Sequence, residues 1–277
     1  MRITVSLALL FAGVGVASAA DAPVTHEVTV LSDIKYRTDA DAVKDRNVLD
    51  VYVPKGAKGY PVLFLVHGGT WQHGSKDFFK LVGTAFAKRG IGVVCPNYRL
   101  SPKVKHPAHV EDVAKAFAWT VDTIAAHGGD PTKIVVAGHS AGGHLVGLLA
   151  TDESYLKAEK RSISDIKGVI GVSGVYSIPP ILFDAIFGSD AKACEKASPI
   201  RHVHDKCPPC VLIYGDKDLP FLDAMAKDLG KKWTGLKCDA EVCEIKNRNH
   251  INVMYDASKP TDAVFEKMEQ AVRKWTK

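Results

Sequence analysis

No block of five or six like charges occurs anywhere in the 277 residues, and the formal net charge is only +5. Without such a block there is no electrostatic footprint for nucleic acid and no basic patch for a membrane surface, so both partners are set aside. Internal repeats, low-complexity tracts and long linkers are missing as well, which excludes solenoids, fibres and strings of small domains. Past residue 20 there is no 18-residue apolar run, so no later segment reads as a membrane-spanning helix. Cys207-Pro208-Pro209-Cys210 has no second Cys-x-x-Cys to accompany it and precedes a strand instead of a helix. Neither a four-cysteine zinc site nor a thioredoxin-type redox pair is implied.

What is present points to a compact, exported globule. Hydrophobic residues make up 46% of the chain and charged residues 24%, enough apolar mass for a sizeable core. Arg2, the apolar stretch Ile3–Val16 and Ala17-Ser18-Ala19 follow the pattern of a cleaved secretory signal. That stretch is short of the roughly 20 residues a spanning helix needs. The expectation is a leader over residues 1–20, a mature chain beginning near Ala20 or Asp21, no stable membrane anchor, and a secreted or periplasmic location. In that setting Cys95, Cys194, Cys207, Cys210, Cys238 and Cys243 are candidates for structural bridges or buried thiols, with pairing left open.

Apolar runs and amphipathic stretches then alternate. His26–Arg37 and Arg46–Pro54 read as strands joined by a polar turn, Pro61–Val66 as a short buried strand, and Phe78–Arg89 as a helix stopped by Gly90. Gly92–Asn97 is the next strand, His109–Ala126 a long amphipathic helix, and Lys133–Ala137 a strand running straight into a helix over Ala141–Ala150. Strands Ile166–Ser173, Cys210–Tyr214 and Ala240–Lys246 follow, with helices at Phe221–Trp233 and Thr261–Lys274. Two opening strands followed by strand–helix units predict one α/β domain over residues 21–277: a mostly parallel, eight-stranded sheet with helices on both faces. The unpatterned stretch from Tyr176 to Lys206 is expected to form a small lid or pocket wall.

Gly138-His139-Ser140-Ala141-Gly142 matches G-x-S-x-G between an apolar strand and a helix, the setting a nucleophile elbow requires. The glycines are needed because a serine in so tight a turn leaves no room for side chains two positions away. A helix starting at Ala141 also turns free amides and a positive dipole end toward the serine. A serine hydroxyl needs a base to remove its proton. His250, after the last predicted strand, fits the order serine, acid, histidine; His26, His202 and His204 fall at the wrong places, and His139 and His144 read as packing or pocket residues. For the acid, Asp216 and Asp218 compete after strand Cys210–Tyr214. The usual spacing, three residues past the strand-ending Gly215, favours Asp218. His67-Gly68-Gly69-Thr70-Trp71 resembles the loop that supplies oxyanion donors, so the amides of Gly68, Gly69 and Ala141 are candidates for that hole and His67 for holding the loop. Candidate pocket walls are Trp71, Tyr98, Tyr176, Phe183, Phe187, Phe221 and Ile251.

Together with Asn97-Tyr98-Arg99-Leu100-Ser101-Pro102 and Gly143-His144, these motifs resemble the α/β-hydrolase esterases of the feruloyl-esterase-like and hormone-sensitive-lipase-like groups. The stretch His67–Asp77, with Trp71, Gly74, Ser75 and Lys76, and Ser198-Pro199 ahead of Asp218 are most similar to arylformamidase (kynurenine formamidase). The resemblance implies Ser140, Asp218 and His250 as a triad, with Gly68, Gly69 and Ala141 as oxyanion donors. His139 stands where the lipase-like group has aspartate, and Thr70 replaces a fourth glycine, which favours the feruloyl-esterase or formamidase side. An exported chain is better placed to cut esters than formylkynurenine. The expected activity is hydrolysis of short acyl or aromatic esters through an acyl-enzyme, with no cofactor or metal; the alternatives are a formamidase and a fold that binds without catalysis.

Overall fold

A computed structural model of the protein describes residues 25–277. The expected leader and its cleavage site lie outside the described residues. Strands β1 (Val28–Lys35) and β2 (Val48–Pro54) form an antiparallel pair. Strands and helices then alternate through β3 (Tyr60–Val66), α1 (Lys80–Lys88), β4 (Gly92–Pro96), α2 (Ala108–Thr123), β5 (Gly129–His139) and α3 (Ala141–Thr151). The short α4 (Glu153–Ala158) precedes β6 (Ile166–Val172), and two more short helices, α5 (Asp184–Phe187) and α6 (Ala191–Lys196), lead to β7 (Cys210–Lys217). The chain closes with α7 (Leu222–Gly235), β8 (Ala240–Asn249), α8 (Asn252–Tyr255) and α9 (Ala263–Trp275).

The strands form one eight-stranded sheet in the order β1-β2-β4-β3-β5-β6-β7-β8, parallel from β4 onward. Period-two alternation along the central strands makes two cores. Val62, Phe64 and Val66 of β3 pack with Phe117 of α2 and Leu145 of α3 on one face. Leu63 and Leu65 pack with Phe86 of α1 and Phe265 of α9 on the other. Both faces being covered, the central strands are continuous apolar runs, as a buried parallel sheet demands. All eleven residues of α3 are buried, consistent with a helix that is apolar all round.

The chain leaves β3 toward β4 on one side, and after β4 returns to β5 on the other. The carboxyl ends of β3 and β5 therefore flank a topological switch point, where open α/β sheets leave a crevice. Strands β5, β7 and β8 extend past their expected limits, β7 by three residues to Lys217. β5 begins at Gly129 because that residue pairs with Tyr60 before the register resumes at Ile134 opposite Val62. β8 runs on to Asn249, paired with Lys217 across an irregularity.

The segment 176–206 holds helices α5 and α6. Its apolar residues Ile186 and Phe187 are buried, and the His106 amide donates to the Ile186 carbonyl. Phe183 and Phe187 pack on Trp71 after β3, Phe187 also meets His144 of α3, and none of the segment's residues is among those lining the cleft at Ser140. All six cysteines are free thiols. Burial pushes the Cys207 thiol up to about 11, which leaves it protonated and unreactive at neutral pH.

Candidate active site

Sheet register places the reactive groups side by side. Val66 of β3 pairs with Gly138 of β5, so Gly68 arrives beside Ser140; a Cβ on Gly68 would sit 3.0 Å from that of Ser140. Lys217 pairs with Asn249, so the next residues, Asp218 and His250, leave neighbouring strands together. His139 pairs with Val172 of β6, which brings Ser173 to the same rim.

Ser140 sits at φ 54°, ψ −119°, a backbone conformation costly for a residue with a side chain. The turn closes only because of its glycines. A Cβ on Gly138 would lie 2.3 Å from the Gly142 carbonyl oxygen, and one on Gly142 would lie 2.1 Å from that of Val66. The Ser140 amide donates to the Val172 carbonyl at 2.9 Å, locking the turn to β6.

His250 Nε2 lies 3.0 Å from Ser140 Oγ, and His250 Nδ1 lies 2.7 Å from Asp218 Oδ1. Burial pushes the Asp218 carboxyl up, but hydrogen bonds from His250, Ser173 and the Leu219 amide outweigh it and hold it below the usual carboxylate range. An ionised carboxylate only accepts, so the His250 proton sits on Nδ1 and the Nε2 lone pair faces the serine. His250 itself rests in a turn fixed from both ends: Asn249 Oδ1 accepts from the Ile251 and Asn252 amides, and Asn252 Oδ1 accepts from the Asn249 amide. His139 Nε2 donates to the His250 carbonyl at 2.7 Å. Burial, with His250 nearby, pushes the His139 imidazole down to about 4, so it stays neutral.

The loop after β3 is strained in the same way. Gly69, Thr70 and Trp71 all have positive φ, at 117°, 51° and 59°. The Gln72 and His73 amides bond back to the Gly69 carbonyl, and the Ser101 amide bonds to the Trp71 carbonyl. Among the described residues the amides of Gly68, Gly69, Thr70 and Trp71 donate to no protein acceptor. Gly68, Gly69 and Thr70 line the cleft with Ser140, and Ala141 opens α3, whose first-turn amides have no partner within the helix. Free donors from two directions thus border the serine.

A model of the BD-FAE family matches residues 49–232. The chain belongs to the BD-FAE family. Similar curated proteins include the isoprenylcysteine alpha-carbonyl methylesterase ICME of Arabidopsis thaliana, 34% identical over 232 residues, covering 75% of this chain and 54% of that protein. Esterase LipC of Mycobacterium tuberculosis is 34% identical over 194 residues, covering 62% and 48%. The BD-FAE chain spans about half the length of the curated relatives it matches. Among solved structures, a truncated carbohydrate esterase from gut microbiota superposes with a TM-score of 0.77 at 19% identity, covering 92% of this chain and 98% of that one. Esterase B from Lactobacillus rhamnosis gives 0.75 at 20%, covering 92% and 87%. These likenesses show the α/β-hydrolase fold.

The BD-FAE cleft at Ser140 encloses about 270 Å³ and is lined by Gly68, Gly69, Thr70, His139, His250 and an apolar set: Phe78, Phe79, Leu219, Ile251, Met254 and Tyr255. Of the pocket residues expected from sequence, only Ile251 is there. Trp71 is buried and anchors the loop after β3 instead: its Nε1 donates to His144 Nδ1 at 3.2 Å, and its ring meets Phe183 and Phe187 edge-on. Tyr98 stacks on His67 at 4.4 Å and donates its hydroxyl to the His67 carbonyl. Tyr176 fills the space over Gly171 and Gly174. Phe221, at φ 72°, stands in solvent at the start of α7. His144 donates from Nε2 to the Ala197 carbonyl, tying α3 to the segment that follows α6. Asp216 is exposed and accepts from the Arg248 amide.

Sequence reasoning missed Ser173, whose hydroxyl donates to Asp218 Oδ2, and Thr70 as a wall with a free amide. Ser173 ends a predicted strand beside the elbow strand, which is the one signal that could have found it. Phe78, Met254 and Tyr255 carry no such signal.

Proposed function

We propose that the protein is a serine hydrolase that cleaves carboxylic esters whose acyl and alcohol parts are uncharged and apolar or aromatic. The single observation that carries this is the chain of contacts Ser140 Oγ to His250 Nε2 at 3.0 Å and His250 Nδ1 to Asp218 at 2.7 Å, beside unpaired amides. His250 takes the serine proton as Oγ attacks the ester carbonyl, and Asp218 stabilises the imidazolium. Amides of Gly68, Gly69, Thr70 and Ala141 are the donors available to the tetrahedral oxyanion. Collapse transfers the proton from His250 to the departing alcohol and leaves an acyl-enzyme. His250 then deprotonates a water, which releases the acid and restores Ser140. The chemistry needs no cofactor.

Lining chemistry favours esters over formylkynurenine. That substrate carries an amino-acid carboxylate and ammonium, and no Asp, Glu, Lys or Arg lines the cleft. Enclosing unpaired charges among apolar walls is costly. The esterase names of the relatives agree with this reading, and the leader-like pattern expected over residues 1–20 is in keeping with export. Ser140→Ala should lower kcat on a short p-nitrophenyl ester by about 10⁶-fold with the circular dichroism spectrum unchanged. Undiminished turnover sinks the proposal, and a higher kcat/KM on N-formylkynurenine than on esters replaces it with the formamidase.

A further inference from the structure

Arg46 belongs to none of the motifs, yet its guanidinium is plugged into the back of the oxyanion loop. Nε donates to the Tyr98 carbonyl at 2.9 Å, Nη1 to the Gly74 carbonyl at 3.1 Å, and Nη2 faces His67 Nε2 at 3.3 Å. The hairpin that carries Arg46 is itself fixed: Asn97 Nδ2 donates to the Asp45 carbonyl while Asn97 Oδ1 accepts from the Lys76 amide. His67 is fully buried.

A guanidinium has five donors and no acceptor. The ring nitrogen facing it must therefore present its lone pair, which leaves the single proton of a neutral His67 on Nδ1. Nδ1 lies 2.7 Å from the Gly68 carbonyl oxygen, so it donates there. Gly74, at φ 92°, closes over the same oxygen, where its Cβ would lie 2.3 Å away. The Gly68–Gly69 peptide is trans, since the cis bonds among the described residues are Ser101-Pro102 and His106-Pro107. Holding the Gly68 carbonyl toward His67 turns the Gly69 N–H the opposite way.

We propose that Arg46 is a positioning residue for the oxyanion hole: by fixing His67 in its Nδ1–H form it locks the Gly68–Gly69 peptide with the Gly69 amide facing the reacting carbonyl. The role rests on the ester-hydrolase reading above. Arg46 touches no substrate, and its effect reaches the transition state through His67 and one peptide plane. A group that orients a donor for the oxyanion is felt when charge develops on oxygen, and hardly at all when the neutral ester binds.

Three measurements test this. In wild-type protein, ¹⁵N NMR of the histidine side chains should show His67 protonated at Nδ1 and bare at Nε2; a proton on Nε2 overturns the proposal and needs no catalysis to detect. Arg46→Ala should lower kcat about 10²-fold, the scale of one misdirected oxyanion donor, with KM within about threefold of wild type. An aryl trifluoromethyl ketone, whose carbonyl carbon bonds to Ser140 Oγ as the serine proton passes to His250, should lose affinity by the same factor as kcat/KM. Unchanged kcat, or a loss confined to KM, overturns it. If Arg46→Ala does not fold, Arg46→Lys is read by the same criteria and should show the same pattern with a smaller loss. Wild-type protein that turns over no ester refutes the functional reading while leaving the NMR result to stand on its own.

Discussion

The floor and the rim of the cleft are built on opposite principles. Ser140, His250 and Asp218 sit in a polar layer where almost every group has a partner: Ser173 and Leu219 on the acid, Asn249 and His139 around the base, Val172 on the nucleophile's amide. At the rim, Phe78, Leu219, Ile251 and Tyr255 line the cleft with 47% to 57% of their surface in solvent. The floor spends backbone strain and buried polar groups to hold geometry within tenths of an ångström. The rim leaves large apolar faces uncovered, which a bound apolar group would cover. On the proposed reading, reaction type belongs to the floor and substrate choice to the rim.

The sharpest way to break the floor is to keep its shape and spoil one proton. Asp218→Asn preserves volume but lets the amide donate, which favours the wrong imidazole tautomer; kcat should fall about 10⁴-fold while melting temperature stays within a few degrees. A loss under tenfold in steady-state kinetics removes Asp218 from the mechanism.

Acid tests the buried histidines collectively, His139 of the floor among them. Burial pushes His67 and His144 down to about 3, and His106, His109 and His139 down to about 4. Each is neutral when folded and takes a proton near 6.5 when unfolded, so between those values the unfolded chain binds more protons and stability falls as pH falls. The slope is about 1.4 kcal/mol per histidine per pH unit. Urea midpoints should drop steeply from pH 6.5 to 5, and a flat profile there contradicts the buried, neutral state.

Gly142→Ala attacks the elbow directly. Its Cβ would meet the Val66 carbonyl, which neither strand nor helix can move aside cheaply, so about 3 kcal/mol of stability should be lost in denaturant titration. The rim should respond most weakly. Phe78→Ala uncovers apolar contact with substrate worth about 1 kcal/mol, giving a KM about fivefold higher on aryl esters with kcat unchanged. A fall in kcat instead would show that rim and floor are coupled.

This division also explains what could be read from the chain alone. Backbone demands leave marks: two glycines flanking Ser140 at fixed distance, strand ends near His67 and Gly215, and a helix start at Ala141 all follow from local rules, and register then brings Gly68, Asp218 and His250 together. The rim obeys no local rule. An aromatic residue says only that a large apolar surface must be buried somewhere. Trp71 and Tyr98 satisfy that need behind the loop after β3 and Tyr176 over Gly171, while Phe78 reaches the cleft from the turn before α1 and Tyr255 from the end of α8. Ser173 gives only the weak mark of a strand end, since its bond to Asp218 exists only once β6 lies beside β7.

The 2.7 Å bond from His139 to the His250 carbonyl makes two distant parts of the chain, 111 residues apart, a single mechanical body. Its donor sits on the residue immediately before Ser140 and its acceptor on His250 itself. A substitution that removes the His139 donor would therefore untie the elbow from the loop that carries His250.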